Sequence, residues 1–218
     1  MPLYLLDDNL WFPDADEALE DGLLAIGGDL HTDRLLLAYR SGIFPWFNDD
    51  DPPMWWCPDP RFVLFPEQLK VSKSMQQLLR REAFEFSVNT SFESVIAQCR
   101  MVSRKGQNGT WITAEVQQAY TNLHRLGFAH SAECRQDGKL VGGLYGVKMG
   151  KVFFGESMFS QVSNASKYAF IRYVQQLQQE GVVLIDCQVY TAHLESLGAS
   201  MIPRRQFLDV LSCYVDAD

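Results

Sequence analysis

The sequence predicts an α+β fold: a small N-terminal α/β domain over residues 1–60, then a larger domain over residues 61–218 with a mixed β-sheet. Composition changes near Arg61, where a stretch rich in loops, prolines and aromatics gives way to segments with regular hydrophobic periodicity. From there on, strand and helix patterns are interspersed in an order typical of α+β proteins. With 218 residues, 47% of them hydrophobic, the chain can bury a sizeable core.

Residues 1–60 predict one short helix and a proline-rich loop. The segment HTDRLLLAYRSG is typical of a helix that Thr32 caps and that Gly42 ends in the left-handed conformation. The next segment, IFPWFNDDDPPMWWCPDPRF, holds five prolines, which disfavour regular structure. Its five aromatics between Phe44 and Trp56 fit either a satellite core or a binding surface.

Residues 73–127 predict three helices and one strand. A basic helix over 73–82 follows Ser72, and FEFSVN alternates as a strand should. Thr90 to Glu93 form a T-x-x-E capping box, which predicts a helix reaching about Val102. The segment SRKGQNG predicts a loop, after which Thr113 caps the third helix.

The last ninety residues predict most of the sheet. Three strands are separated by turns at Asp137-Gly138 and Gly150, and a helix, a buried strand and two short helices follow. The predicted bounds are about 128–135, 139–148 and 151–159 for the strands, 165–179 for the helix, 184–188 for the buried strand, and 192 onward and 203–213 for the short helices. From FEFSVN onward the order is strand–helix–helix–strand–strand–strand–helix–strand–helix. This order matches the GNAT-like acyltransferase fold.

Charge is distributed unevenly along the chain. The net charge is −8, yet residues 1–60 carry two basic and thirteen acidic side chains, so the remaining residues carry a net +3. Between Arg61 and Lys105 there are eight basic and four acidic side chains. This segment fits either a solvated helical surface or a patch that faces phosphates.

The sequence also limits where the protein acts. No apolar run is long enough to span a bilayer, and the N-terminus lacks the basic region of a signal peptide. The five cysteines show no CxxC spacing, and the histidines show no metal-like spacing. We therefore expect a cytoplasmic protein with reduced thiols, no metal site and no membrane contact.

The strand LIDCQ, which covers residues 184–188, carries two polar side chains in an apolar run. Because residues i and i+2 of a strand point to the same face, Asp186 and Gln188 should share one face. A buried carboxylate is costly unless it is hydrogen-bonded, and the neighbouring amide is a natural donor to it. The pair is either a structural polar pair or a site where the sheet opens into a cleft.

A second carboxylate, Glu156, lies within the apolar segment FFGESMFS. It is predicted either at an exposed edge or in an apolar cleft. The segment that follows, up to Lys167, lacks the [RQ]-x-x-G-x-[GA] loop that binds the pyrophosphate of coenzyme A in acyltransferases of this topology. We therefore expect an acyl donor other than coenzyme A.

Ten blocks together identify a family resemblance. In chain order they are GLLAIGGDL, AYRSGIFPWF, WWCPDPR, TWIT, LVGGLYGV, GESMFS, ASK, LIDCQ, SLGA and IPRRQF. Through them, nearly the whole chain resembles the bacterial leucyl/phenylalanyl-tRNA–protein transferases. The resemblance implies transfer of Leu or Phe, and also Met, from aminoacyl-tRNA to proteins with N-terminal Arg or Lys, which marks them for degradation under the N-end rule.

The resemblance also implies roles for the three polar residues. Gln188 would hydrogen-bond and orient the attacking amine, and Asp186 would polarise Gln188. We expect Glu156, together with Asp186, to attract the basic N-terminus of the acceptor. The donor ester is already activated toward an amine, so no cofactor is expected.

The remaining site residues concern the donor and its tRNA. By resemblance, Trp46 and Trp111 would sandwich the terminal adenine, and an apolar pocket would hold the Leu or Phe side chain. The residues expected to line that pocket are Leu144, Phe153, Met158, Phe170 and Ile185. The basic segment from Arg61 to Lys105 would face the acceptor stem, above all through Lys70, Lys73, Arg80, Arg81, Arg104 and Lys105.

Two other functions fit the same sequence features. One is a related tRNA-dependent transferase that favours acidic N-termini, and the other is a non-catalytic binder of basic N-termini. In each case we expect a monomer.

Overall fold

The computed structural model describes residues 3–102 and 111–217, which form two β-sheets with helices packed against them. The first sheet has the order β1-β2-β4-β3, and the second has the order β11-β5-β10-β9-β8-β7-β6. The strands are β1 (Tyr4–Leu6), β2 (Leu23–Gly27), β3 (Phe44–Pro45), β4 (Met54–Trp56), β5 (Arg61–Leu64), β6 (Glu85–Val88), β7 (Ala129–Gln136), β8 (Lys139–Met149), β9 (Val152–Ser160), β10 (Leu184–Gln188) and β11 (Ser200–Ile202).

Seven α-helices and two short 3-10 helices (Ala15–Glu17 and Pro66–Gln68) complete the described part of the chain. The α-helices are α1 (Thr32–Arg40), α2 (Lys73–Arg80), α3 (Phe92–Met101), α4 (Ala114–Arg125), α5 (Ala165–Gln179), α6 (Ala192–Glu195) and α7 (Arg204–Tyr214). None of the helices among the described residues is long and apolar enough to cross a membrane.

The predicted α+β class with a mixed sheet is confirmed. Strands β6 to β9 are antiparallel neighbours, β10 joins β9 in parallel, and α5 forms the connection between those two strands. Strand β5 pairs antiparallel with the other side of β10, so the sheet contains both parallel and antiparallel strand pairs. A pair of helices, α3 and α4, stands between β6 and β7, as the predicted order requires.

The first sheet lies within residues 1–60 and the second begins at Arg61. One cluster of buried apolar residues contacts both sheets, from Leu24 and Trp55 in the first to Val147 and Phe154 in the second. The division into two domains at residue 60 stays a prediction.

Several predicted helix caps are confirmed. The side chains of Ser72 and Thr113 accept the backbone N–H groups of Met75 and Val116, each three residues further on. Gly42 has a φ of +74°, the left-handed conformation expected after α1.

Two predicted N-caps are wrong. Helix α1 begins one residue earlier than expected, with His31 at the cap position and Thr32 as its first helical residue. Helix α3 is preceded by Ser91 rather than by a capping box, because the Thr90 hydroxyl donates to the buried Glu133 carboxylate instead. The sequence did not predict β5, β11 or the first sheet, since strands of two to five residues are too short to show a periodicity.

Candidate active site

The site lies where the parallel pairing of β9 and β10 ends. The last paired residues are Phe154 in β9 and Asp186 in β10. Two residues beyond each of them, Glu156 and Gln188 meet through their side chains, with Gln188 Nε2 donating to Glu156 Oε1 at 2.9 Å. These two side chains therefore bridge the end of the parallel ladder, where the sheet can open.

Both strands are bulged at this point. In β9 the register with β8 shifts between Ser157 and Gly155, which leaves Glu156 without a partner across the ladder. In β10 the register with β5 shifts in the same way at Cys187, and Gln188 takes a φ of +64°. Bulges re-aim side chains beside active sites, and two adjacent bulges account for the meeting of Glu156 with Gln188.

A tight contact next to the first bulge requires glycine. A Cβ atom on Gly146 would lie 2.2 Å from the carbonyl oxygen of Phe154. Any larger residue would displace β8 from β9 beside Glu156, so the glycine fixes the local spacing of the two strands.

Asp186 is fully buried and paired with an equally buried arginine. Arg61 donates to both carboxylate oxygens, at 2.8 Å from Nε and 2.7 Å from Nη2. The guanidinium lies over the rings of Phe44 and Phe207, at 4.7 and 4.5 Å from their centroids. Asp186 Oδ1 also accepts the backbone N–H of Gln188 at 2.9 Å, so this carboxylate holds the bulged backbone that carries Gln188.

Two sequence-based expectations are therefore wrong. Arg61 cannot face tRNA, because it is buried against Asp186. The Gln188 amide does not donate to Asp186, because the left-handed turn at Gln188 directs the side chain to Glu156 and leaves the backbone N–H for Asp186. Asp186 is buried in its ion pair with Arg61, and its expected part in attracting a basic acceptor stays a prediction.

Glu156 is the carboxylate that remains available. It is half-buried and accepts hydrogen bonds from Gln188, from Tyr39 (2.8 Å to Oε1) and from Tyr120 (3.1 Å to Oε2). Among the described residues no cation pairs with it. Burial raises the pKa of Glu156 to about 7, the two phenols and the amide oppose that rise, and the nearby Asp186 charge adds to it.

The contact with Glu156 also fixes the orientation of the Gln188 amide. A carboxylate only accepts hydrogen bonds, so the NH2 group of Gln188 must face it. The carbonyl oxygen is then turned away, and no described residue donates to it. Gln188 therefore presents an acceptor to whatever occupies the space beside it.

That space is a cavity of about 540 Å3. Its walls come from β3 and the residue after it, from the second sheet and α5, from Trp111 before α4, and from the segment that follows β10. All three predicted polar residues, Glu156, Asp186 and Gln188, line it. So do the seven predicted substrate-binding residues: Trp46, Trp111, Leu144, Phe153, Met158, Phe170 and Ile185. The structure thus brings the predicted set together, and the binding of substrate by these residues stays a prediction.

Sequence reasoning missed several residues of the site. Tyr39, Tyr120 and Arg61 contact the polar residues from α1, α4 and β5. The wall after β10 adds Thr191, His193 and Leu194. Of these residues, the sequence could have indicated only Thr191, His193 and Leu194, because they directly follow the strand that carries Gln188.

The predicted tRNA-facing residues are only partly described. Lys70, Lys73, Arg80 and Arg81 are exposed, on α2 or beside it. Arg104 and Lys105, like the predicted loop that contains them, lie outside the described residues.

The fold and the site define a class of protein. A mixed sheet of this order, with a parallel pair that ends at a polar, cavity-lining pair of side chains, is that of a GNAT-like acyltransferase domain. A GCN5-related N-acetyltransferase-like protein from Streptococcus suis is weakly similar, with 12% identity and a TM-score of 0.39 over 74% of this chain and 59% of that one. The strand order, rather than this likeness, carries the fold assignment.

The chain belongs to the leucyl/phenylalanyl-tRNA protein transferase family. The family model matches residues 63–212, and the model of the family's N-terminal domain matches residues 28–59. A leucyl/phenylalanyl-tRNA–protein transferase from Flavobacterium johnsoniae is 54% identical over 96% of this chain and 99% of its own. One from Pseudomonas fluorescens is 51% identical over 99% of this chain and 96% of its own. The protein is therefore an enzyme, an aminoacyltransferase.

Proposed function

We propose that this enzyme transfers Leu or Phe, and also Met, from aminoacyl-tRNA to the α-amino group of proteins that begin with Arg or Lys. The product would be a degradation signal under the N-end rule. One observation carries the proposal: an apolar cavity ends at Gln188 and Glu156, a hydrogen-bond acceptor and a carboxylate without a cationic partner among the described residues. Such an arrangement suits an apolar acyl group on one side and a basic amine on the other.

The apolar part of the cavity suits the donor side chain. Leu144, Phe153, Phe170 and Ile185 are buried, and Met158 is half-buried, in the wall formed by the sheet and α5. An apolar pocket separates side chains that differ by a few carbon atoms only weakly. A pocket of this composition would therefore accept Leu, Phe and Met, and it would reject charged side chains because of their desolvation cost.

The polar end suits the acceptor amine. The transfer needs no covalent enzyme intermediate, because the ester of aminoacyl-tRNA is already activated toward amines. Holding the amine and the ester in attack geometry is worth about 7–11 kcal/mol. Gln188, with its carbonyl oxygen directed away from Glu156, would accept a hydrogen bond from the amine and aim its lone pair. Glu156 would attract the positive charge of the acceptor.

Two tryptophans suit the terminal adenosine. Trp46 is partly exposed and Trp111 is largely buried, and both line the cavity. Stacking of a base on an aromatic ring contributes about 1–3 kcal/mol. Trp111→Ala should therefore weaken binding of aminoacyl-tRNA about 5- to 150-fold in a filter-binding titration. Trp11→Ala is the matched control, since that exposed tryptophan does not line the cavity. Equal affinity for both variants would remove Trp111 from the adenine site.

The exposed basic residues of α2 suit the acceptor stem, which they would contact through phosphates. Lys73→Glu combined with Arg80→Glu should weaken tRNA binding. The slope of the logarithm of the association constant against the logarithm of the salt concentration should also become smaller in magnitude by about one to two, because fewer counterions are released. Arg125→Glu is the control, since Arg125 is also exposed but lies at the end of α4. A slope that matches the wild type would leave α2 outside the tRNA contact.

Aminoacyl-tRNA is a cytoplasmic molecule, which supports action in the cytoplasm. We propose that the enzyme acts there as a monomer.

The experiment that tests the proposal is a transfer assay. The enzyme is incubated with Leu-tRNA and a peptide that begins with Arg, and the peptide mass is measured. An added leucyl residue on the Arg peptide, with none on an otherwise identical peptide beginning with Asp, is the expected result. Transfer to the Asp peptide alone would favour a transferase for acidic N-termini, and binding of the Arg peptide without transfer would favour a non-catalytic binder.

A further inference from the structure

Two tyrosine phenols converge on Glu156 from outside the sheet. Tyr39 lies in the last turn of α1 and Tyr120 lies in α4, and both are fully buried. Their hydroxyl oxygens lie within hydrogen-bond distance of each other, and each hydroxyl can donate its single proton to a different oxygen of the Glu156 carboxylate. A buried hydroxyl is costly unless it is hydrogen-bonded, so the position of both groups depends on this one carboxylate.

Hydrogen bonds to both carboxylate oxygens fix the orientation of Glu156. Oε1 accepts from Tyr39 and from Gln188, and Oε2 accepts from Tyr120. Donors on both oxygens fix the plane of the carboxylate and favour its ionised form over its protonated form. The same contacts set the position of the Gln188 side chain, because its NH2 group has Glu156 as its partner.

We propose that Tyr39 and Tyr120 are positioning residues of the transfer reaction, which hold Glu156 as an oriented carboxylate that takes the proton from the ammonium group of the incoming N-terminus. This inference rests on the proposed function. It gives Glu156 a proton-accepting role in addition to its attraction of the acceptor.

The proton balance of the step is complete. An N–H bond of the ammonium breaks and an O–H bond forms on Glu156, which leaves a neutral amine beside the Gln188 carbonyl oxygen. The amine nitrogen forms a C–N bond to the ester carbonyl carbon, and the ester C–O bond breaks. A second proton of that nitrogen goes to the departing ribose oxygen, and Glu156 later releases its proton to water.

The titration of Glu156 fits this role. The groups that face it are Tyr39 from α1, Tyr120 from α4, Gln188 and Asp186 from β10, and Arg61 beyond Asp186. Burial raises the pKa of Glu156 to about 7, close to the 7.7–8.0 that is usual for an α-amino group. Burial also raises the pKa of both phenols well above the usual value, so they stay protonated and keep donating.

The sign of the pH effect follows from the hydrogen bonds. The ionised carboxylate is the active form, so activity should fall as the pH drops through the pKa of Glu156. Each phenol lowers that pKa, so Tyr39→Phe or Tyr120→Phe should raise it. A hydrogen bond to a charged group corresponds to about one to two pKa units.

The experiment measures kcat/KM for transfer to an Arg peptide between pH 5.5 and 9 for the wild type, Tyr39→Phe and Tyr120→Phe. In the wild type, kcat/KM should fall on the acidic side of the profile as Glu156 becomes protonated. In each variant this acidic limb should lie about one pH unit higher, with roughly tenfold lower kcat/KM at pH values below it and near wild-type kcat/KM at pH 9. Tyr168→Phe is the control, since Tyr168 is a buried tyrosine of α5 that packs on Phe84. In a Glu156→Gln background neither Tyr→Phe change should shift the limb further.

A second measurement does not need turnover. The carboxyl 13C resonance of Glu156, assigned by comparison with Glu156→Gln, should titrate at higher pH in both Tyr→Phe variants. If a Phe variant does not fold, 3,5-difluorotyrosine at the same position keeps the ring, donates more strongly and should shift the titration to lower pH. An unmoved Glu156 titration, or an equal loss of activity at every pH, overturns the inference. If instead the proposed function is wrong, the wild type should show no transfer, while the shifts in the Glu156 titration remain.

Discussion

Replacing Gln188 by Ala is expected to lower kcat by about 10²-fold and to leave the affinity for aminoacyl-tRNA unchanged. Glu156 holds the side-chain amide of Gln188, and Asp186 Oδ1 holds the backbone N–H of the same residue. The side-chain carbonyl oxygen therefore has a fixed direction. On the proposed function, its removal would take away an interaction that aligns the attacking amine and would leave the contacts with tRNA in place. Stopped-flow or quench-flow transfer assays at saturating donor, together with binding titrations, separate the two quantities.

The matched control is Gln161→Ala, an exposed glutamine that follows β9 outside the cavity. It should leave both kcat and donor affinity unchanged. A Gln188→Ala enzyme whose donor affinity falls as much as its kcat would contradict a positioning role for the amide.

The second large effect concerns stability. Asp186→Ala or Arg61→Ala should each lower the free energy of unfolding by about 3–5 kcal/mol, because each leaves a buried charge without its partner. The double replacement Arg61→Met, Asp186→Leu should recover much of that loss, because an apolar pair of similar volume avoids the desolvation of both charges. Urea unfolding, monitored by tryptophan fluorescence, measures all four proteins.

Activity should not follow stability in this series. Leu at position 186 cannot accept the backbone N–H of Gln188, so the bulge that carries Gln188 loses its hydrogen bond even when the fold is restored. The double variant should therefore be stable and nearly inactive. A fully active double variant would show that the ion pair serves folding alone, and single variants of near wild-type stability would show that the pair is not effectively buried.

The sequence predicted most of the second sheet and the residues that line the cavity, for identifiable reasons. Strands β7 to β9 are eight to eleven residues long with turn residues between them, and α5 is bounded by Asn164 and Gly181, so their periodicity is clear. Strands of the first sheet and β11 have two to five residues, and their pairing depends on contacts that are distant in sequence.

The sequence predicted which residues line the candidate site but not which residues contact one another there. Strand parity placed Asp186 and Gln188 together, yet the register shift at Cys187 and the left-handed Gln188 are tertiary features without a local signal. The partners Arg61, Tyr39 and Tyr120 come from three separate elements at separations of 36 to 125 residues. A pattern in one segment cannot show such contacts.

The most direct test of the proposed site is a crystal structure of the enzyme with a non-hydrolysable phenylalanyl-adenosine analogue. We expect the adenine between Trp46 and Trp111, the phenyl ring against Phe153 and Ile185, and the acyl carbonyl carbon within reach of an amine that is hydrogen-bonded to Gln188. An analogue bound outside this cavity, or bound with its phenyl ring at Glu156, would contradict it.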